Sequence, residues 1–265
     1  MMVRRIVDLT YPIRAGMLKY PTDSEVEVVT RRAKFERTFE LCYDGGGNTC
    51  GAGASSIICE GGNQRINFTN HTGTHIDAPR HKDPRGKAID DYPISKFDNT
   101  AVMLDFTPLK IVEREHRCIF RQDIRNILTP DLEKKCKMVG SIILYTGFCN
   151  ELAAYNGKVW GDKKKEFESS FIYMLPEAAG YITKELCSDK LNIVGIDSFS
   201  VDRMHDTSSM SHYWLFEKDV LPLEGLVNLN ELGFYAKNNL FRLVCVPLRY
   251  KNSDAAQTRA YAVVD

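Results

Sequence analysis

Short apolar runs rich in β-branched and aromatic residues recur along this chain and predict strands at 6–9, 26–29, 55–59, 66–68, 101–106, 141–145, 192–196 and 240–246, with 260–264 as a closing strand. Helical spacing is rarer. Ile124, Ile127 and Leu128 share one face of a helix over 122–128. Pro176 suits the first turn of a helix over 176–187. A third helix is predicted over 211–218, and Gly233 ends a short turn over 230–233. Many strands with few helices imply an α/β fold: a single domain, 1–265, with a central mixed β-sheet or barrel flanked by a few helices.

Composition narrows the classes. Lys+Arg and Asp+Glu both number 35, so no net field recruits nucleic acid or an anionic membrane. No apolar run approaches the roughly 20 residues that cross a bilayer. No apolar stretch follows the first arginines, so no secretory signal is predicted and a cytoplasmic protein is expected. The eight cysteines are scattered without CxxC pairing, several in apolar runs, and read as reduced, buried thiols. Lys163-Lys164-Lys165 precedes Glu166 and Glu168 and reads as a solvated loop. Asp44-Gly45-Gly46-Gly47-Asn48 lacks the Lys-Ser/Thr of a phosphate loop.

The chemistry concentrates in His71-Thr72-Gly73-Thr74-His75-Ile76-Asp77-Ala78-Pro79-Arg80-His81, which holds three of six histidines. All four ligand-type residues are odd-numbered, so an extended backbone would aim them at one side. Imidazole and carboxylate are the usual ligands of zinc and similar ions. The four-residue spacing of His71 and His75 also suits a helix, but Thr72-Gly73-Thr74 and Pro79 oppose one. An extended or looped segment leaving the strand near 66–69 is expected. Neither a GxSxG elbow nor a cysteine paired with a base competes as a nucleophile.

The same eleven residues resemble the HxGTHxDxPxH signature of the cyclase-like metal-dependent hydrolases, which include bacterial kynurenine formamidases and isatin hydrolases. Gly16-Met17-Leu18-Lys19-Tyr20-Pro21 is similar to that family's N-terminal segment, and Gly195-Ile196-Asp197-Ser198-Phe199-Ser200-Val201-Asp202 to its GID…S.D strand end. His212, with Glu224 twelve residues on, resembles its downstream pair. There are departures. Thr22 stands where the family has glycine, Ala256-Gln257-Thr258-Arg259 replaces a glycine-serine-proline stretch before a late arginine, and His205-Asp206 has no counterpart.

The resemblance implies that His71, His75 and Asp77 bind a first divalent metal, zinc or manganese. Asp77 would bridge to a second position completed by His212 and Glu224, giving one or two ions per subunit. His81 would be the general acid/base. Tyr20, Phe148, Phe199 and His205 are candidate substrate contacts, Trp160, Trp214 and Tyr173 being core or pocket wall; His205 alternatively pairs with Asp206 or Asp202. His116 lies in a charged, exposed stretch.

The implied reaction is hydrolysis, by metal-activated water, of an amide, cyclic amide or ester in a small aromatic substrate, arylformamidase activity of the kind used in tryptophan catabolism being the best single example. The alternatives are cyclisation or dehydration with the ion as Lewis acid, and a metal-dependent binding protein without turnover. A homodimer or homotetramer is implied by the resemblance alone.

Overall fold

The computed structural model describes residues 4–39, 55–155, 162–204, 206, 208–236 and 239–264. In chain order the strands are β1 (Arg5–Asp8), β2 (Glu27–Phe39), β3 (Ser55–Asn67), β4 (His75–Asp77), β5 (Asp98–Asp105), β6 (Cys118–Ile119) and β7 (Ser141–Tyr145). They continue as β8 (Tyr173–Met174), β9 (Ile193–Ile196), β10 (Leu221–Glu224), β11 (Phe241–Val244), β12 (Ala255–Gln257) and β13 (Tyr261–Val264). The helices are α1 (Arg121–Ile127), α2 (Pro130–Cys136), α3 (Phe148–Tyr155), α4 (Asp162–Ser169), α5 (Pro176–Tyr181), α6 (Met210–Glu217) and α7 (Leu229–Ala236).

Nine strands form one mixed sheet in the order β1-β13-β11-β5-β7-β9-β10-β4-β12. Its centre, β5-β7-β9-β10, is parallel, and both flanks are antiparallel. Parallel strands are covered on both faces and read as unbroken apolar runs; Ser141-Ile142-Ile143-Leu144-Tyr145 is buried throughout. Alternation then sorts the side chains into two cores. Val102, Leu104, Ile142, Leu144, Val194 and Ile196 face one core, into which α1, α2, α3, α5 and α6 pack. Ala101, Met103, Ile143, Tyr145, Ile193 and Leu223 face the other. That second core also takes Val7, Ala262 and Leu243 from one flank and Ile76 and Ala256 from the other, so the sheet curls around it as a half-barrel.

Several sequence expectations change. The predicted strands at 55–59 and 66–68 are one, β3, paired along its whole length with β2 in a separate ribbon. Gly233 does not end its helix: α7 runs past it, and a Cβ there would sit 3.2 Å from Met103 Cε, so the glycine lets the helix lie close on β5. The helix begun by Pro176 continues past Tyr181 as a π-helical turn, Ile182–Leu186. Lys163-Lys164-Lys165 is helical, in α4, because Phe167 and Glu168 are buried behind it. The short strands β4, β10 and β12 carry too few residues to announce themselves by pattern, yet they build the site. Cys118, Cys136, Cys149 and Cys245 are free and buried, and burial pushes the Cys136 thiol up to about 12. Among the described residues no helix is long and apolar enough to cross a membrane.

Candidate metal centre

The motif is a strand between two turns. Only His75 and Asp77 lie in β4 and share a face through the two-residue period. His71 sits in the turn before it, and His81 ends a 3-10 turn, Pro79–His81. The expected one-sided alternation therefore holds for two of the four residues, and the backbone's turns bring in the others. Two left-handed glycines make the tight packing possible. Gly73 (φ +74) and Gly225 (φ +70) are so close that a Cβ on Gly225 would lie 2.5 Å from the Gly73 carbonyl oxygen. Thr74 pins the pair, its Oγ1 donating to the Gly225 carbonyl (2.7 Å) and accepting from the Tyr11 amide (2.7 Å).

Sheet register supplies the rest. β4 lies between β10 and β12, with Glu224 opposite His75 and Ala255 opposite Asp77. Glu224 Oε1 accepts from the Val201 amide (2.7 Å), which leaves Oε2 3.4 Å from His75 Nε2. His212 enters from the first turn of α6. Asp202 both caps that helix, accepting from the Ser211 amide (2.8 Å), and meets His212 Nδ1 at 2.5 Å. His212 Nε2 is thereby turned toward Asp77 Oδ2 (3.2 Å) and Glu224 Oε1 (3.6 Å). On the opposite side His71 Nδ1 is 3.0 Å from Asp77 Oδ1, and His81 Nε2 is 3.8 Å from Asp77 Oδ2.

These donors fit a divalent cation. Ligand atoms about 2.1 Å from a tetrahedral ion lie roughly 3.4 Å apart, the spacing seen here. His75 Nε2 and Asp77 Oδ1 are buried without a hydrogen-bond partner, an arrangement that is costly unless something else satisfies them. Two trios, His75-Asp77-Glu224 and His71-Asp77-His81, each bring three donor atoms within 4.8 Å of one another, and Asp77 belongs to both. His212 faces Asp77 and Glu224 without belonging to either trio.

Electrostatics agree. Burial alone would raise Asp77, but the imidazoles of His71, His81, His75 and His212 hold it well below the usual carboxylate range. Burial opposes charge on His75, yet Asp77 and Glu224 lift it well above the ordinary histidine value. His212, likewise buried, is raised to about 9 by Asp202 and Asp77. The carboxylates thus hold protons on these rings, in the place a cation would take. His81 differs: burial and the neighbouring His71 and His212 lower it, despite Asp77.

A cavity of about 230 Å³ opens over the cluster, lined by Tyr20, Thr22, Asp23, Phe199, Ser200 and Lys82 besides the ligand candidates. Benzene occupies a cavity of roughly 150 Å³, so a single substituted ring has room. Tyr20 and Phe199 stand on this wall as the sequence suggests. Phe148 does not: it is fully buried behind Phe199 (5.3 Å between centroids) and stacked on Phe167, because it opens α3 against the helical core. His205 and Trp160 lie outside the described residues. Trp214 packs in the helical core under Lys184, and Tyr173 lines a different hollow beside the exposed His116. Arg259 is exposed and pairs with Asp8, away from the site. Asp254 and Asp23 were missed. Asp254 sits in a polar run, Lys251-Asn252-Ser253-Asp254, that reads as an ordinary turn, whereas Asp23 ends Tyr20-Pro21-Thr22-Asp23, which stands where the resembled family has Tyr-Pro-Gly-Asp, a signal that could have found it.

Known proteins resemble this chain over most of its length. Kynurenine formamidase of Salinibacter ruber is 26% identical over 206 residues, covering 74% of this chain and 76% of that protein. The Geobacillus thermodenitrificans enzyme of the same name is 28% identical over 197 residues, covering 74% and 77%. Among solved structures, isatin hydrolase A from Labrenzia aggregata superposes with a TM-score of 0.67 at 19% identity, covering 98% of this chain and 94% of that one. A potential metal-dependent hydrolase with cyclase activity gives 0.66 at 20%, covering 99% of both. At such identities the solved structures speak for the fold. The profile of the Cyclase family matches residues 7–203, about three quarters of the chain and including the whole His71–His81 motif, so this chain belongs to the Cyclase family.

Proposed function

We propose that this protein is a metal-dependent hydrolase that cleaves a non-peptide C–N bond of a small aromatic amide, a formamide or a cyclic amide. The observation that carries the reading is the pair of orphaned donors, His75 Nε2 and Asp77 Oδ1, buried in a ring of imidazoles and carboxylates beneath a cavity of single-ring size. The kynurenine formamidase and isatin hydrolase relatives support the C–N chemistry.

In this reading His71, His75 and Asp77 hold the cation, and Asp77, His212 and Glu224 offer a second position. A divalent ion there, zinc or manganese, supplies a Lewis acid that acidifies water and polarises a carbonyl. The chain's own residues do the rest. His81 Nε2 faces the cavity from a ring whose proton affinity is lowered, which suits it to take a proton from water and return it to the leaving nitrogen. Tyr20 and Phe199 flank an aromatic ring, and Asp23, whose Oδ2 is buried without a partner, offers an acceptor for a substrate N–H. Asp202 keeps His212 facing inward. The balanced charge fits a cytoplasmic enzyme, and the resemblance supports a homodimer or homotetramer.

The test is a panel of N-formyl anilines, cyclic amides and lactones assayed in ¹⁸O-water with zinc- or manganese-loaded protein. Turnover of an aromatic amide with solvent oxygen in the product is expected. Product without solvent oxygen would support cyclisation or dehydration instead, which the family's name and the cyclase-type structural relative favour.

A further inference from the structure

Each of the cluster's four imidazoles turns one nitrogen inward and has the other engaged outside. His75 Nδ1 faces the Gly73 carbonyl oxygen (3.0 Å) and His212 Nδ1 faces Asp202. The remaining two rings share one atom: Asp254 Oδ2 lies 3.1 Å from His71 Nε2 and 3.2 Å from His81 Nδ1. We propose that Asp254 is a positioning residue that, through this single carboxylate oxygen, selects the tautomers of both His71 and His81.

An ionised carboxylate only accepts hydrogen bonds. With a cation in place of the inward protons, as in the metal-loaded protein, the ring nitrogen facing Asp254 carries the hydrogen, Nε2–H on His71 and Nδ1–H on His81. In the neutral rings the lone pairs then fall on His71 Nδ1 and His81 Nε2, the atoms turned toward Asp77 and the cavity. His71 is left able to bind a cation and His81 able to accept a proton. The carboxylate itself is fixed. Its backbone carbonyl accepts from the Ala78 amide (2.8 Å), one residue past Asp77. Its other oxygen, Oδ1, accepts from Asn70 Nδ2 (2.6 Å), an amino group also facing Ser253 Oγ (3.1 Å) and the Ala255 carbonyl (3.4 Å).

Three acceptors hold the Asn70 amino group in place, so the outcome of Asp254→Asn is defined. The new amide must turn its oxygen to Asn70 and its NH₂ to the histidines. A donor against His71 Nε2 and His81 Nδ1 drives both hydrogens to the inward nitrogens and removes both useful lone pairs. Asp254→Ala only releases the rings. A role in packing would make alanine the more damaging change; tautomer selection makes asparagine so.

This inference rests on the hydrolase reading for its kinetic arm but not for its spectroscopic one. In zinc-loaded protein carrying ¹⁵N-imidazole histidine, NMR is expected to show His81 as the Nδ1–H tautomer in the wild type and as Nε2–H in Asp254→Asn. At saturating zinc, kcat of Asp254→Asn is expected to fall on the order of 100-fold with KM little changed, further than in Asp254→Ala. Zinc affinity should fall by roughly 10- to 100-fold. An Nε2–H His81 in the wild type, an unchanged tautomer in Asp254→Asn, or alanine proving the worse substitution would each overturn the proposal. Failure of the wild type to turn over any amide would instead sink the hydrolase reading, and the tautomer measurement would still decide the role of Asp254.

Discussion

The two sides of the cluster are built differently. On the inner side, His75, Asp77 and Glu224 stand on paired strands and His212 on a helix, and all four are almost wholly buried. Their geometry follows from the register of a sheet with a core behind it, which over-determines each position. On the outer side, His71 and His81 hang from turns, are a fifth to a quarter exposed, and are joined by the still more exposed Asp254. The inner side has the rigidity and dryness that a tightly held ion requires. The outer side has water access and less constraint, which suits proton exchange with a substrate. In the proposed reading the cation would draw on both sides, His71 from a turn and His75 and Asp77 from a strand, whereas the proton would be moved by His81 on the turn side alone.

Asp77 belongs to both sides, and its loss should have the largest effect. Asp77→Asn is expected to abolish bound zinc by elemental analysis and take turnover below detection; retained zinc would show that the inner side suffices without it. His81→Ala tests the outer side alone. Turnover should fall by about 10²- to 10⁴-fold with zinc stoichiometry unchanged, whereas loss of the metal would make His81 a ligand of the outer trio and erase the contrast. Asp202→Asn tests the inner side from behind. It keeps the shape but weakens the hold on His212, and zinc affinity by competition titration should drop about 10- to 100-fold. An effect as large as that of Asp77→Asn would place His212 nearer the centre than its geometry suggests.

Much of this was legible in the sequence. The apolar runs locate β5, β7 and β9 at the centre of the sheet because a doubly covered strand must be apolar throughout; 141–145 is found to the residue. Helix α2 carries its signals too, Thr129 capping the Leu132 amide (3.2 Å) ahead of Pro130, though its seven residues bury only Leu132 and Cys136 and leave little apolar periodicity. α4 was hidden by its lysines, since its buried face is only Phe167 and Glu168. Phe148 was misplaced for a related reason: an aromatic residue beside Thr146-Gly147 looks the same whether it faces a cavity or a core.

By itself the sequence determined which donors are available, since histidine and carboxylate packed into eleven residues are chemical identities that no folding event alters. It also determined that Gly73 can take a left-handed turn between two of those donors. Only the tertiary structure decided that Glu224 stands opposite His75, that Asp202 lies behind His212, and that Asp254, more than 170 residues after His81, shares one oxygen with two rings. Those relations are set by strand register and by loops closing over a common core. Such long-range pairings depend on the whole curled sheet, and no local pattern of residues encodes them.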